Sequence, residues 1–200
     1  MDRCTGDGPS VLSVVALAVV FTMAKFSEAF LVLRALDVGP AVALVLLVMV
    51  VMNVVYSVVA ALTGSLSDRM GRRRLLILGL AVLIVADGVL ALVATIPGVL
   101  IGVALWGLHM GLSQGLLAAL VVDMAPSDMR GTAFGLFNLA SGVTLLAASV
   151  VAGLLWSRMG AEATFLAGTM FALLATAGLV LMASRSPAEG RRPSERLLSH

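Results

Sequence analysis

Long apolar runs separated by short polar connectors dominate the chain. A membrane-spanning helix needs about 20 mostly apolar residues. Six runs meet that length: Val11–Leu33, Ala41–Leu62, Leu75–Thr95, Gly98–Val122, Thr132–Trp156 and Ala163–Ala183. None alternates apolar and polar residues as a barrel strand does, and an open strand cannot satisfy its backbone in lipid. The pattern therefore predicts an all-α membrane protein with six transmembrane helices.

Composition agrees with this pattern. Hydrophobic residues make up 60% of the chain and charged residues 12%, and the mean hydropathy is +1.10. Soluble domains average about 45–50% apolar and about 25% charged residues, so a water-soluble globule is excluded. The lipid bilayer is the expected partner, and no nucleic acid is. The single cysteine, Cys4, offers neither an internal disulfide nor a metal cluster, and we expect no cofactor.

The positive charges predict how the chain crosses the membrane. If residues 1–10 are cytoplasmic, ten of the 13 Lys and Arg residues fall on the inner side. Only Arg34 and Arg158 fall outside, and Lys25 lies within a span. This asymmetry follows the positive-inside rule. It predicts a multi-pass protein of the plasma (inner) membrane, with a six-helix domain over 11–183 and a disordered cytoplasmic tail over 184–200.

The densest cluster of positive charge is the connector Gly64–Leu76, with the sequence GSLSDRMGRRRLL. Gly71 allows a tight turn, because glycine tolerates positive φ. Asp68 can pair with a neighbouring arginine or with the positive end of another helix. The arginines can anchor the connector to anionic headgroups. Anchoring alone requires only the arginines and neither the aspartate nor the glycines.

A weaker copy of this connector occurs at Gly153–Gly160, 89 residues further along. Glycine, leucine, arginine, methionine and glycine recur in register, and Gly79 and Gly168 share the same offset. The repeating unit therefore contains three spans. An odd number of crossings inverts the second copy in the membrane, so the sequence predicts two inverted three-helix repeats, an arrangement typical of transporters.

The connector resembles a motif of the major facilitator superfamily, G-x-x-x-D-R/K-x-G-R-R/K. The matching residues are Gly64, Asp68, Arg69, Gly71, Arg72 and Arg73. Pro126–Gly135 resembles the segment that enters the fifth helix of the C-terminal half in that family, and Ala24–Gly39 resembles the opening helix of that half. The resemblance implies that the connector gates the cytoplasmic side during alternating access.

The family fold has two six-helix halves, and this chain resembles the C-terminal one. The resemblance implies secondary active transport of a small solute, plausibly coupled to protons. A complete route then requires a partner. Three alternatives stay open: a half that works with a second six-helix half, a truncated or split-gene fragment without activity of its own, and a homodimeric six-span transporter.

Charges within the spans are candidates for substrate binding or proton coupling, because a charge near the membrane centre costs about 2.5–3.5 kcal/mol even on the lenient scale. Lys25 and Glu28 share a helix face, and Asp87 has no cation within a helical turn. Glu28 or Asp87 can carry a coupling proton. The alternative is a structural pair of Lys25 with one of these carboxylates.

Uncharged polar residues extend the candidate site. His109 lies in the fourth span with Ser113 and Gln114, and can relay protons, bind substrate or be structural. Asn53 forms a similar polar stripe with Tyr56 and Ser57 on the second span. No further ligand has metal-site spacing with His109, so no metal site is predicted.

Glycines recur every fourth residue on the fourth span and predict close helix packing. They are Gly107, Gly111 and Gly115. The last two also frame a G-x-S-x-G sequence, but a hydrolase needs that motif in a strand–turn–helix context. Ser113 instead lies within a continuous apolar helix, and the chain is not expected to be an enzyme.

Overall fold

The computed structural model describes residues 19, 21–39, 41–124 and 130–185. The predicted N-terminal stretch, the start of the first apolar run, most of the connector before Arg130 and residues 186–200 lie outside the described residues. The described part is helical apart from short connections and contains no strand. The all-α prediction is therefore confirmed.

Five helices follow one another along the chain. They are α1 (Ala29–Val38), α2 (Val42–Met70), α3 (Arg72–Leu92), α4 (Ile96–Met124) and α5 (Arg130–Arg185). Residues 21–24 are also helical and are separated from α1 by the non-helical residues 25–27. Within the described residues, α2, α3 and most of α4 and α5 are long and apolar enough to cross a membrane.

Helix α5 consists of two helical arms. It has 56 residues and contains one non-helical residue, Gly160, with φ 82° and ψ −175°. An unbroken helix of that length would extend about 84 Å, more than twice the roughly 30 Å hydrocarbon core. The first arm therefore covers residues 130–159 and the second covers residues 161–185.

A single glycine also separates α2 from α3. Gly71 has φ 82°, and its N–H donates to the Ser67 carbonyl oxygen at 2.9 Å. Its positive φ is the conformation expected from the sequence. Helix α2, however, continues through Met70 rather than ending with the apolar run at Leu62. The apolar run marks the lipid-facing length, whereas backbone hydrogen bonding extends the helix further.

Helix α4 lies at the centre of the fold. It contacts each of the other four helices, and 61% of its apolar segment is buried, against 17% for α2. Its start is defined by Thr95, whose hydroxyl oxygen accepts the Gly98 N–H at 3.2 Å, and by Pro97, which is tolerated in a first helical turn. This central position directs side chains of α4 toward every neighbouring helix.

Candidate functional site

The first span is interrupted beside its charged residues. Residues 25–27 are non-helical, which leaves backbone groups without helical partners at a position that the apolar pattern places inside the membrane. The Ser27 N–H is satisfied from another helix, since it donates to the Ser149 hydroxyl oxygen of α5 at 3.2 Å. Non-helical backbone at membrane depth is tolerated only inside protein or along a cavity, and here it lies along a cavity.

A cavity of about 360 Å³ adjoins this interruption. Its polar wall combines one charged residue with amide and hydroxyl side chains, and the remaining wall is apolar. The lining residues are Thr22, Lys25, Gln114, Leu117, Ala118, Phe134, Phe137, Asn138, Ser141, Gly142 and Leu145. They come from the first span, α4 and the first arm of α5.

A second cavity of about 180 Å³ adjoins the first, because Lys25 and Leu145 line both. Its other lining residues are Phe26, Ser27, Glu28, Trp106 and Met110. We name the two cavities together the polar cleft. Ligand sites are typically concave and largely apolar, with a few convergent polar groups, and the polar cleft has this character.

Two of the predicted charged residues, Lys25 and Glu28, meet at the polar cleft without forming a close ion pair. Within the described residues, only Arg72 and Asp123 have charged nitrogen and oxygen atoms within 4.0 Å. Lys25 is therefore not directly paired with Glu28 or with Asp87. Neither of the pairs that the sequence left open is a direct ion pair here, and the side chains of Lys25 and Glu28 line the cavity walls.

Asp87 lies behind the polar cleft and is fully buried. Its Oδ1 accepts the indole N–H of Trp106 at 3.0 Å, while Oδ2 has no hydrogen-bond partner in the described part of the chain. Gly168 leaves room for this carboxylate, since a Cβ there would lie 2.6 Å from Oδ2. Trp106 also lines the smaller cavity, so its indole links the cleft to Asp87.

His109 is also fully buried behind the cleft. Its Nδ1 lies 2.8 Å from the Gly79 carbonyl oxygen, and its ring stacks on Phe21 with centroids 5.6 Å apart. Nε2 has no hydrogen-bond partner among the residues described. Ser113 donates to the His109 carbonyl oxygen at 2.7 Å, and only Gln114 of the predicted stripe reaches the cleft.

The polar stripe on α2 lies away from the polar cleft. Asn53 is exposed and donates its side-chain amide to the Met49 carbonyl oxygen of its own helix at 2.9 Å. Ser57 donates to the Asn53 carbonyl oxygen at 2.8 Å. Both side chains therefore have hydrogen-bond acceptors within α2, and Asn53 lines neither cavity of the cleft.

The basic connector joins the ends of three helices. Arg72 forms an ion pair with Asp123 at the end of α4, and Arg73 donates to the Leu179 carbonyl oxygen in the second arm of α5. Asp68 is exposed and is not engaged by either arginine. A Cβ at Gly64 would meet no described atom within 4 Å, so the expected close helix approach at Gly64 is absent from the described part of the chain.

Two of the three α4 glycines allow close approach to α2. A Cβ at Gly107 would lie 2.5 Å from the Met52 carbonyl oxygen, and one at Gly111 would lie 2.7 Å from Val59 Cβ. Gly115 is exposed, and a Cβ there would meet no described atom within 4 Å. The close helix contact therefore involves the first two glycines of the series and not the third.

Two residues gain importance only from the structure. Trp106 connects the cleft with Asp87. The only sequence signal for this role is its position three residues before His109. Arg34 was placed with the outer charges, yet it is buried: its Nε donates to the Leu90 carbonyl oxygen at 2.8 Å, and its Nη2 donates to that of Ala91 at 3.2 Å. It caps the carboxyl end of α3, a tertiary contact that charge counting does not reveal.

Comparisons with known proteins agree with this architecture. The family model of the Major Facilitator Superfamily matches residues 11–199. An uncharacterized MFS-type transporter of Methanocaldococcus jannaschii is 32% identical over 174 residues, which is 84% of this chain and 43% of that protein. The inner membrane transport protein YajR of Escherichia coli is 34% identical over 118 residues, 59% of this chain and 25% of that protein.

A solved structure shows the same fold. The POT family transporter PepTSo superposes with a TM-score of 0.72 at 18% identity, over 94% of this chain and 41% of that chain. This chain therefore spans less than half the length of the relatives that it matches. The family match covers nearly the whole sequence, and the motif from Gly64 to Arg73 lies at the junction of α2 and α3. The chain is a multi-pass membrane protein that belongs to the Major Facilitator Superfamily.

Proposed function

We propose that this chain is one half of a secondary transporter that moves a small solute by alternating access together with a second six-helix unit. The polar cleft is the observation that carries this proposal. Its described walls come from only three elements, the first span, α4 and the first arm of α5. Alternating access places the solute site between two such units.

The proposal includes six transmembrane helices arranged as two inverted repeats. The first unit contains the interrupted first span, α2 and α3, and the second contains α4 and the two arms of α5. Gly71 and Gly160 are 89 residues apart in sequence and share a φ of 82°. Gly79 and Gly168 have the same separation, and each lies beside a buried polar side chain, His109 at Gly79 and Asp87 at Gly168. These correspondences support an internal repeat.

The second six-helix unit is a further part of the same protein, a separate chain or a second copy of this one. The genomic sequence around the reading frame tests the source. Six further spans in frame or in an adjacent gene would identify a separate half. If none is found, cross-linked pairs of this chain in membranes would identify a homodimer, and exclusively monomeric chains would indicate an idle fragment and contradict the proposal.

The proposed orientation places both termini and the basic connector in the cytoplasm of a cell with an inner membrane. In this orientation Arg72 and Arg73 hold the cytoplasmic ends of α3, α4 and α5 together, and exposed Asp68 is free to contact the second unit. A green fluorescent protein fused after residue 200 should fluoresce, because it matures in the cytoplasm. A dark fusion of normal abundance would contradict this orientation.

Coupling to protons is part of the proposal, with Asp87 and Glu28 as the candidate carriers. Glu28 lines the smaller cavity, where water and solute have access. Asp87 does not line that cavity, because the Trp106 indole lies between the cavity and the carboxylate. A carboxylate with one hydrogen-bond donor in an apolar interior is costly when charged, which favours a role in proton exchange over a purely structural one.

Uptake into membrane vesicles tests the transport proposal. Vesicles from host cells with and without the gene are compared for labelled glucose, xylose, alanine and benzoate under an imposed proton gradient. We expect saturable uptake of at least one solute that depends on the gene. Asp87→Asn or Glu28→Gln should abolish its dependence on pH. Equal uptake with and without the gene for the whole panel would contradict transport, and wild-type pH profiles in both variants would remove proton coupling by these residues.

A further inference from the structure

Four polar side chains converge on the larger cavity of the polar cleft and remain available to a ligand. Lys25, Gln114, Asn138 and Ser141 line it, and none of their side chains has a hydrogen-bond partner among the described residues. Ligand sites are concave and largely apolar, with a few polar groups that converge on the ligand. Polar side chains that share one cavity wall and are not engaged elsewhere in the described part are therefore placed to bind a polar ligand.

The electrostatic character of this cavity is positive. Among the described residues, Lys25 is the only charged one that lines it, and no acidic side chain does. Glu28 lines only the smaller cavity, and no carboxylate of the described part lies within 4.0 Å of the Lys25 ammonium. Asp87 is separated from the cleft by Trp106, to which it is hydrogen-bonded. The lysine charge is thus not cancelled by a direct partner and is directed at the cavity.

We propose that the larger cavity binds an oxyanion, the carboxylate or phosphate group of a small organic acid. Lys25 supplies the charge, the Gln114 and Asn138 amides donate hydrogen bonds, and the Ser141 hydroxyl adds a further donor. An ammonium group binds either oxyanion as a point charge. The cavity of about 360 Å³ lies at the lower end of the volumes typical for small-molecule sites. The apolar wall, which includes Leu117, Phe134 and Phe137, would contact the body of the solute.

This assignment deepens the proposed transport function, on which it rests for its biological meaning, but its test does not require transport. Gly142 lines the larger cavity, and a Cβ there would meet no described atom within 4 Å. A Gly142→Cys variant in a Cys4→Ser background therefore places a single thiol in the cavity. The probes are the anionic reagent 2-sulfonatoethyl methanethiosulfonate and its cationic trimethylammonium analogue.

The measured quantity is the ratio of the anionic to the cationic reaction rate, in which any change in thiolate fraction cancels. Removing the positive charge of the same cavity wall should lower this ratio about tenfold, because its loss slows the anionic reagent and speeds the cationic one. We expect that fall for Lys25→Gln and a preserved ratio for Lys25→Arg. A thiol at exposed Ser65 of α2, outside the cleft, is the control and should show no change. An unchanged ratio at position 142, or an equal change at position 65, would overturn the assignment.

Protection of the same thiol identifies the source of the anion. In phosphatidylcholine vesicles, benzoate or inorganic phosphate should slow the reaction at position 142, and benzamide should slow it much less. Protection by neither anion would overturn the solute assignment. Slower reaction only when phosphatidylglycerol is added would do the same, because it would identify a lipid headgroup as the occupant. If the anions protect while vesicle uptake fails for every solute, the site stands and the proposed transport function falls.

Discussion

A polar side chain inside this apolar domain must find its hydrogen-bond partner within the protein. Arg34 and Asp87 show two solutions. The Arg34 guanidinium is buried and satisfied by two carbonyl groups at the end of α3. The Asp87 carboxylate has one donor, Trp106, and one oxygen without a partner in the described chain. The first arrangement is structural, and the second leaves capacity for exchange.

Replacing Arg34 should destabilise the fold without altering the cleft. Arg34→Gln removes charged hydrogen bonds to the Leu90 and Ala91 carbonyl oxygens, and hydrogen bonds to charged groups contribute about 1.5–3 kcal/mol. We expect a loss of that size in the free energy of unfolding, measured by denaturant titration in detergent micelles. Arg74→Gln, at an exposed site of α3, is the control. Equal losses in both variants would contradict the capping role.

Gly168 should tolerate no side chain. A Cβ in Gly168→Ala would lie 2.6 Å from Asp87 Oδ2 and 2.9 Å from Phe26 Cε1, and overpacking of this kind costs about 1–3 kcal/mol. Gly178→Ala is a matched control in the same helical arm, because its Cβ would meet no described atom within 4 Å. The unfolding free energies should therefore differ by that amount. Indistinguishable values for the two variants would show that Asp87 does not pack against Gly168.

At the scale of the elements, two glycines of one motif have different structural roles. Gly71 has φ 82° at the α2–α3 junction, whereas Gly64 is an exposed helical residue with open space at its Cβ position. Gly71 is therefore required by the backbone of this chain. The described structure gives no such reason for Gly64. We propose that Gly64 contacts the second unit.

Alanine substitutions should distinguish these two roles, because only Gly71→Ala is expected to lower the free energy of unfolding. Gly71→Ala forces a side chain into the left-handed region, at a cost of about 1–2 kcal/mol. Gly64→Ala should leave the isolated chain equally stable or raise its stability by up to about 1 kcal/mol, since alanine is favoured within a helix. Thermal unfolding in detergent checks both. A larger destabilisation at Gly64 than at Gly71 would contradict the described junction.

At the scale of the whole molecule, the basic connector is only partly engaged with the described part of its own chain. Arg72 and Arg73 bind α4 and α5, while Asp68 is exposed. We therefore expect Asp68→Asn to leave the unfolding free energy of the isolated chain unchanged but to impair uptake in vesicles that contain the second unit. Asp123→Asn, which breaks the ion pair with Arg72, should affect both. Equal effects of Asp68→Asn in both settings would argue against a contact with the second unit.

The sequence predicted an all-α membrane protein and its family, because apolar runs and a motif of glycines and charged residues are local signals. It also predicted a positive φ at Gly71, because glycine adopts this conformation without the steric penalty of a side chain. The polar cleft was only partly predictable. Lys25, Glu28 and Gln114 were candidates by residue type, but their grouping apart from Asp87 and Asn53 depends on helix rotation and tilt. The cap formed by Arg34 and the position of Trp106 between cleft and carboxylate are tertiary contacts without a local pattern.

Alternating access requires that the polar cleft open in turn to each side of the membrane. Single cysteines at Gly142, which lines the cleft, and at Val143, an exposed apolar neighbour on the same helix, are compared in a Cys4→Ser background. Right-side-out and inverted vesicles of the native host are treated with a membrane-impermeant thiol reagent. We expect the thiol at position 142 to react from both sides and the thiol at position 143 to react from neither. Reaction at position 142 from one side only, or no faster than at position 143, would contradict alternating access through this cleft.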